Sequence, residues 1–76
     1  MKVWIAKNKW TGALGTGVFI FWDKPRKFLD LECWLDEYEE HTELPLEELP
    51  EGVNPKWEDT EPIEVELIFK ANNKED

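Results

Sequence analysis

The clearest pattern in the chain is an alternation of apolar and acidic side chains towards its C-terminal end. Apolar residues at positions 63, 65, 67 and 69 alternate with Glu64 and Glu66. A period of two indicates a β-strand with one buried face. Pro62 suits the first position of such a strand, where no ladder donor is needed. We therefore expect Val65 and Leu67 to face the core and Glu64 and Glu66 to face solvent.

Two further apolar segments lie near the N-terminus. Residues 2–7 hold β-branched and aromatic side chains between lysines, which favours a first strand. Residues 8–17 contain Gly12, Gly15 and Gly17 and predict a hairpin loop or a slightly longer turn. Residues 18–22 are apolar on both faces, which is typical of a central strand, and Pro25 follows its expected end.

The segment from residue 26 to residue 42 fits two patterns. Leu29, Leu31 and Cys33 alternate as in a strand, whereas a helical spacing of three and four connects the apolar residues Phe28, Leu31, Trp34, Leu35 and Tyr38. Apart from Asp23, no good N-cap precedes this segment. We favour a third strand over residues 29–35.

Residues 44–52 predict a single helical turn. Pro45 suits its first position, Glu47 and Glu48 favour its positive end, and Gly52 follows its end. Together these elements predict an α+β fold, a small antiparallel sheet of three to four strands with one short helical turn, and an all-β fold is the alternative. We expect residues 1–71 to form one compact domain and residues 72–76 a flexible polar tail.

Composition limits the size of the core and the location of the protein. The chain has 76 residues, among them five Trp, four Phe and one Tyr, and these large rings can supply a dense core to a small domain. Cys33 is the single cysteine, so no intrachain disulfide can form. No secretory signal and no apolar run of membrane-spanning length is found in the sequence. We expect a cytoplasmic protein that makes no contact with a membrane.

The charge is strongly acidic and unevenly distributed. The net charge is −9, with +5 over residues 1–28 and −14 over residues 29–76. An acidic surface repels phosphate backbones, so direct binding to nucleic acid is unlikely. Aromatic rings near Lys7, Lys9 and Lys24 could stack single-stranded bases, but the opposing net charge disfavours this hypothesis.

The candidate chemical sites are incomplete. Three closely spaced glycines resemble a phosphate-binding loop, yet a strand and not a helix is expected to follow them. Cys33, Glu37, Glu40 and His41 could be metal ligands, but one Cys and one His do not complete a structural zinc site. A nucleophile pair of Cys33 and His41 lacks a recognisable third group. We therefore expect no enzyme activity, no cofactor and no metal, with Cys33 buried and His41 in solvent.

Three blocks of the sequence carry a family resemblance. They are Lys2-Val3-Trp4-Ile5-Ala6-Lys7, the Asp23-Lys24-Pro25 end of the aromatic strand, and Trp57-Glu58-Asp59-Thr60-Glu61-Pro62 with Glu64-Val65-Glu66-Leu67. Together they resemble short uncharacterised proteins of Bacteroides-type gut bacteria and of their phages or integrated elements. The resemblance implies a small sheet-containing fold and a mobile-element origin. The glycine-rich loop and the acidic residues 36–48 depart from that pattern.

Five tryptophans are more than one small core can enclose, which predicts a contact surface. We expect a non-catalytic protein–protein interaction module that self-associates, as a homodimer or with an unknown protein partner. The alternative is an acidic inhibitor from a mobile element that imitates nucleic acid. The residues expected at the interaction surface are Trp10, Trp34, Trp57, Glu37, Glu39 and Glu40.

Overall fold

The structure is a computed structural model that describes residues 1–38 and 41–66. Within these ranges the chain forms β-strands and one turn of 3₁₀ helix. The strands are β1 (Lys2–Lys7), β2 (Val18–Phe21), β3 (Arg26–Phe28), β4 (Cys33–Leu35), β5 (His41–Glu43) and β6 (Ile63–Glu66), and the 3₁₀ turn spans Leu46–Glu48.

Four of the strands form one antiparallel sheet in the order β5-β2-β1-β6. In β1, Trp4 lies opposite Phe21 of β2 on one side and opposite Glu64 of β6 on the other. Strand β2 pairs with both β1 and β5, so its prediction as an interior strand, apolar on both faces, is confirmed. The predicted antiparallel sheet of three to four strands is confirmed as well.

The predicted third strand over residues 29–35 is wrong in extent. Strands β3 and β4 form a separate two-stranded antiparallel hairpin, in which Arg26 lies opposite Leu35 and Phe28 opposite Cys33. Residues 29–32 form the turn between the two strands, and Glu32 there adopts a positive φ of 59°. The helical alternative for this segment is excluded over residues 26–38.

The predicted helical turn is found at Leu46–Glu48 as 3₁₀ helix, with Pro45 immediately before it. No other helical element occurs among the described residues. The fold they define is therefore small and rich in β-sheet, and they contain no α-helical layer of an α+β fold. In residues 1–38 and 41–66 no helix is long and apolar enough to cross a membrane.

The core lies on both faces of the four-stranded sheet. Val3, Ile5 and Val18 are buried on one face. On the other face the β3–β4 hairpin contributes Trp34 to a buried cluster, against which Trp4 and Trp57 pack; the other members of the cluster are Ala6, Phe19 and Phe21. The small chain thus gains its core density from aromatic rings.

The predicted register of the last strand is confirmed within β6. Val65 is half-buried and lies opposite the buried Val3, whereas Glu64 and Glu66 are exposed. Leu67 lies outside the described residues.

Asn8 joins the sheet to the hairpin. Its main-chain N–H donates to the carbonyl of Gly17 (2.8 Å), and its Oδ1 accepts the main-chain N–H of Trp34 (2.7 Å). The Asn8 side chain is fully buried, so this hydrogen bond connects the end of β1 to β4 inside the core.

Candidate functional site

The glycine-rich loop between β1 and β2 closes around a carboxylate from β5. Glu43 Oε2 accepts hydrogen bonds from the main-chain N–H groups of Gly12 (2.8 Å), Gly17 (2.9 Å) and Thr16 (3.2 Å). Its Oε1 accepts the N–H of Leu14 (2.6 Å). Four main-chain donors therefore converge on one anion.

The sequence of the loop explains this geometry. Gly15 and Gly17 have φ values of 76° and 71°, which side chains rarely tolerate. A Cβ atom at Gly12 would lie 2.5 Å from Glu43 Oε1, so a larger residue would displace the carboxylate. Successive N–H groups turned towards one point form an anion-binding concavity. The resemblance to a phosphate-binding loop thus has a physical basis, but the anion bound here is the chain's own Glu43.

These contacts change the acidity of Glu43. Its partial removal from water is the largest single influence and would raise the pKa, but the four main-chain hydrogen bonds together outweigh it. The pKa of Glu43 is consequently below its usual value, and the carboxylate is ionised at neutral pH. The ionised carboxylate holds the loop in place.

The loop lies against the turn of the β3–β4 hairpin. The main-chain N–H of Lys9 donates to the carbonyl of Glu32 (3.1 Å), and Lys9 Nζ lies 3.3 Å from the Glu32 carboxylate. Trp10 Nε1 donates to the carbonyl of Leu31 (3.4 Å), and the Trp10 ring packs edge-on against Phe19. These contacts fix the positions of two neighbouring loops.

These two loops carry four exposed apolar side chains, which together we call the loop patch: Trp10, Leu14, Leu29 and Leu31. Their exposed fractions are 43%, 54%, 73% and 53%. The hydrogen bond from Trp10 Nε1 to the main-chain carbonyl of Leu31 joins the two loops, and Leu14 and Leu29 belong to the same loops. Exposed apolar side chains on neighbouring loops make this surface a candidate for contact with a partner.

The residues expected at the interaction surface differ in their exposure. Trp10 is exposed, but the prediction is wrong for Trp34, which is 2% exposed because its ring fills the core beneath the hairpin. Trp57 is half-buried against the same cluster. Glu37 is exposed and does not belong to the loop patch. Glu39 and Glu40 lie outside the described residues.

The sequence pattern does not reveal the exposure of Leu14, Leu29 and Leu31. The two hairpin leucines alternate with acids, a pattern that predicts a strand. Leu14 lies between glycines in a loop, where an apolar side chain has little chance of burial. This position is the sequence signal that its side chain is exposed.

The residues considered for metal binding and nucleophilic chemistry do not form a site. Burial, with a smaller contribution from the charge of Asp30, raises the pKa of the Cys33 thiol. The His41 ring packs against Phe19 and Phe21, with centroid distances of 5.2 Å and 5.4 Å, so its expected position in solvent is wrong. In the described ranges, no three His, Cys, Asp or Glu side chains lie together in a way that could hold a metal ion.

The chain matches no protein-family model, no curated protein and no solved structure. The functional proposal below is therefore based on the geometry of the loop patch and its surroundings.

Proposed function

We propose that this protein is a non-catalytic interaction module that self-associates through the loop patch. The observation that carries the proposal is the hydrogen bond from Trp10 Nε1 to the main-chain carbonyl of Leu31, which joins two neighbouring loops at residues whose apolar side chains are both about half exposed. Tryptophan is enriched at the centres of protein interfaces because it offers a large apolar area with few rotatable bonds.

The loops that carry the patch are held by hydrogen bonds and an ion pair within the chain. Glu43 accepts four main-chain hydrogen bonds from one loop, and Lys9 joins that loop to the hairpin turn. An ordered surface loses less conformational entropy on association, so more of the apolar burial remains as binding free energy. This arrangement supports a contact role for the patch.

A second copy of the chain is the favoured partner because the charges near the patch largely cancel. Lys9 and Glu32 lie beside Trp10 and Leu31 and have opposite signs, and Asp30 between Leu29 and Leu31 adds one negative charge. Two copies facing each other across a two-fold axis can therefore bring the apolar residues together with only a small excess of like charge at the rim.

Pairing through the edge of the sheet is less favourable. Strand β6 pairs with β1 on one side, and its exposed side chains are Glu64 and Glu66. Antiparallel pairing of two β6 strands would bring these glutamates close to their counterparts, and charged residues on an edge strand oppose such pairing.

The proposal of a non-catalytic protein is supported by the burial and the raised pKa of Cys33. The thiolate is the reactive form of cysteine, and burial of Cys33 together with a raised pKa disfavours that form. His41, the other residue of the considered pair, packs its ring against aromatic neighbours.

The competing function is an acidic protein that imitates nucleic acid. Several acids are already paired within the chain, which leaves fewer to imitate phosphates. Glu43 is bound by the loop, and ion pairs engage Glu32, Glu61, Glu64 and Glu66. A mimic would capture basic DNA-binding proteins at low salt, and neutralising Glu37, Glu39 and Glu40 would abolish that capture.

The test compares two exposed leucines by light scattering after size-exclusion chromatography. We expect Leu31→Ser to convert the dimer into a monomer, because it removes apolar area from the patch. Leu46→Ser is the matched control, since Leu46 is 63% exposed in the 3₁₀ turn and lies outside the patch. A dimer that survives Leu31→Ser, or one that is lost equally in both variants, would contradict the proposed interface.

A further inference from the structure

A second feature of the surface is the outer edge of strand β6. In the order β5-β2-β1-β6 this strand is the last of the sheet, and among the described residues it pairs with β1 alone. A strand at the edge of a sheet presents a row of main-chain donors and acceptors that have no partner within the sheet. Extended peptide segments bind to other proteins by adding a strand to such an edge.

The hydrogen-bond pattern of the sheet shows which main-chain groups lie on this edge. In an antiparallel pair, opposite residues alternate between those that exchange main-chain hydrogen bonds and those that do not. The main-chain N–H of Asn8 donates to the carbonyl of Gly17, and these two residues continue the register of β1 with β2. Every second residue back from Asn8 therefore bonds to β2, and Val3 and Ile5 between them bond to β6.

Strand β6 follows the same alternation. Ile63 and Val65 lie opposite the two β1 residues that point towards β6, so they bond to β1. The main-chain N–H and C=O groups of Glu64 and Glu66 consequently point away from β1. Among residues 1–38 and 41–66, no loop or turn donates to these groups or accepts from them. In this part of the chain, two N–H and two C=O groups are thus open to a partner strand.

The two faces of the β6 edge differ in chemistry. The side chains of Glu64 and Glu66 are exposed on one face, and those of Ile63 and Val65 are half-buried on the other. A strand added beside β6 would place its successive side chains on alternate faces, next to these residues. The complementary strand therefore alternates a basic residue, beside each glutamate, with an apolar residue on the opposite face.

The charge around the edge favours a basic partner. Residues 57–66 contain five acids and no Lys or Arg. Glu64 pairs with Lys2 and Glu66 with the N-terminal amine, but each contact is made by Oε2, and both glutamate side chains are more than half exposed. Such pairs are weak, and a carboxylate has a second oxygen that can accept from another cation. The glutamates that oppose the pairing of two β6 strands thus attract a strand that carries Lys or Arg.

We propose that the β6 edge binds an extended peptide segment of another protein in which Lys or Arg alternates with apolar residues. The segment adds a further strand to the sheet, with main-chain hydrogen bonds to Glu64 and Glu66 and basic side chains beside their carboxylates. The β6 edge and the loop patch share no residue, so this proposal does not rest on self-association.

The test is an NMR titration of the full chain at low salt with a short synthetic peptide of alternating Lys and Val. We expect saturable binding with a Kd below about 1 mM. The main-chain amides of Glu64 and Glu66 should exchange rapidly in the free protein and slowly in the complex, whereas those of Ile63 and Val65 should be slow in both. A peptide with the same Lys and Val residues in two separate blocks should bind more weakly, because its lysines cannot all lie on one face.

Matched removal of charge separates the edge from general attraction to an acidic protein. The double variant Glu64→Gln/Glu66→Gln should raise the Kd of the alternating peptide by about fivefold, because two cross-strand ion pairs are lost. The double variant Glu37→Gln/Glu47→Gln removes the same charge from exposed residues outside the edge, and it should leave the Kd within about twofold.

The absence of saturable binding, equal effects of the two double variants, or unchanged exchange at the Glu64 and Glu66 amides would each overturn the proposal. Slow exchange of these two amides in the free protein would also overturn it, because the edge would then be covered by the chain itself. Equal affinity for the block peptide would contradict strand addition and would identify general charge attraction instead.

Discussion

Glu43 is the residue on which the order of the glycine-rich loop most depends. Replacing it with Gln keeps the size of the side chain but removes the charge and turns one amide nitrogen towards main-chain N–H donors. We expect Glu43→Gln to lower the thermal midpoint and to speed hydrogen exchange at the Leu14 and Gly17 amides. Glu47→Gln, in the exposed 3₁₀ turn, is the control and should leave both unchanged.

Unaltered exchange at Leu14 and Gly17 in the Glu43→Gln variant would show that the carboxylate does not hold the loop. The exchange measurement is local, so it separates loss of the loop contacts from a general loss of stability.

The stability provided by Glu43 should also depend on pH. Its pKa is lower in the folded protein than in the unfolded chain, where a Glu has a pKa of about 4.3. The contribution is therefore fully present above about pH 5 and is lost as the pH falls through the folded pKa. Urea unfolding of the protein and of Glu43→Gln should give a constant difference at neutral pH that shrinks below about pH 4. A difference that stays constant down to pH 3 would contradict this.

Asn8 is a second residue of this kind, because its side chain connects the end of β1 to β4. Asn8→Ala leaves the buried N–H of Trp34 without its acceptor, so we expect the free energy of unfolding to fall by about 1–3 kcal/mol. Equilibrium urea unfolding measures this change. A loss below about 0.5 kcal/mol, the usual range of a surface substitution, would show that the hydrogen bond contributes little.

At the scale of elements, the register of β6 can be tested by comparing its two faces. Val65→Asp places a charge beside the buried Val3, and we expect it to lower the free energy of unfolding by about 2–4 kcal/mol. Glu66→Gln weakens an exposed ion pair with the N-terminal amine and should be nearly silent. Urea unfolding of both variants should therefore give clearly different midpoints.

Equal midpoints for the two variants would mean that the register is shifted. A slip of one residue exchanges the two faces of a strand, and Glu66 would then lie on the buried face of the sheet.

The strands with a clear period or a two-sided apolar run could be predicted from the sequence, and the β3–β4 hairpin could not. Residues 29–32 alternate Leu and acid in the same way as residues 63–66 alternate apolar residue and Glu, yet the first segment is a turn and the second is a strand. Hydrogen-bonded pairing with a neighbouring strand decides which of the two segments becomes a strand. Arg26 and Leu35 pair across the hairpin, and strands of three residues are too short to show a period of their own.

Of the candidate site, only the glycine-rich loop could be predicted from the sequence. Glycine spacing indicated a loop rich in main-chain donors, but the acceptor Glu43 lies 31 residues from Gly12 and no local pattern connects them. Composition predicted that some tryptophans would be exposed, but Trp34 is buried because β4 contributes its ring to the core cluster, whereas Trp10 lies in an exposed loop.

At the scale of the whole molecule, the chain combines an acidic surface with exposed apolar side chains on two loops. The charge of −9 opposes association, so we expect two copies to approach most closely where charges largely cancel and apolar area is exposed. At the loop patch, Lys9 and Glu32 cancel each other beside Trp10 and Leu31, and Asp30 adds one negative charge. Added salt should therefore leave a dimer intact or strengthen it, because screening weakens the repulsion between the acidic surfaces.

Sedimentation equilibrium of the unmodified chain at low salt and at about 0.5 M salt tests this account most directly. Apolar burial is screened far less than charge contacts, so we predict a dimer at micromolar concentration whose dissociation constant stays the same or falls as salt is added. A strictly monomeric protein at both salt concentrations, or a dimer that dissociates when salt is added, would contradict self-association through the loop patch.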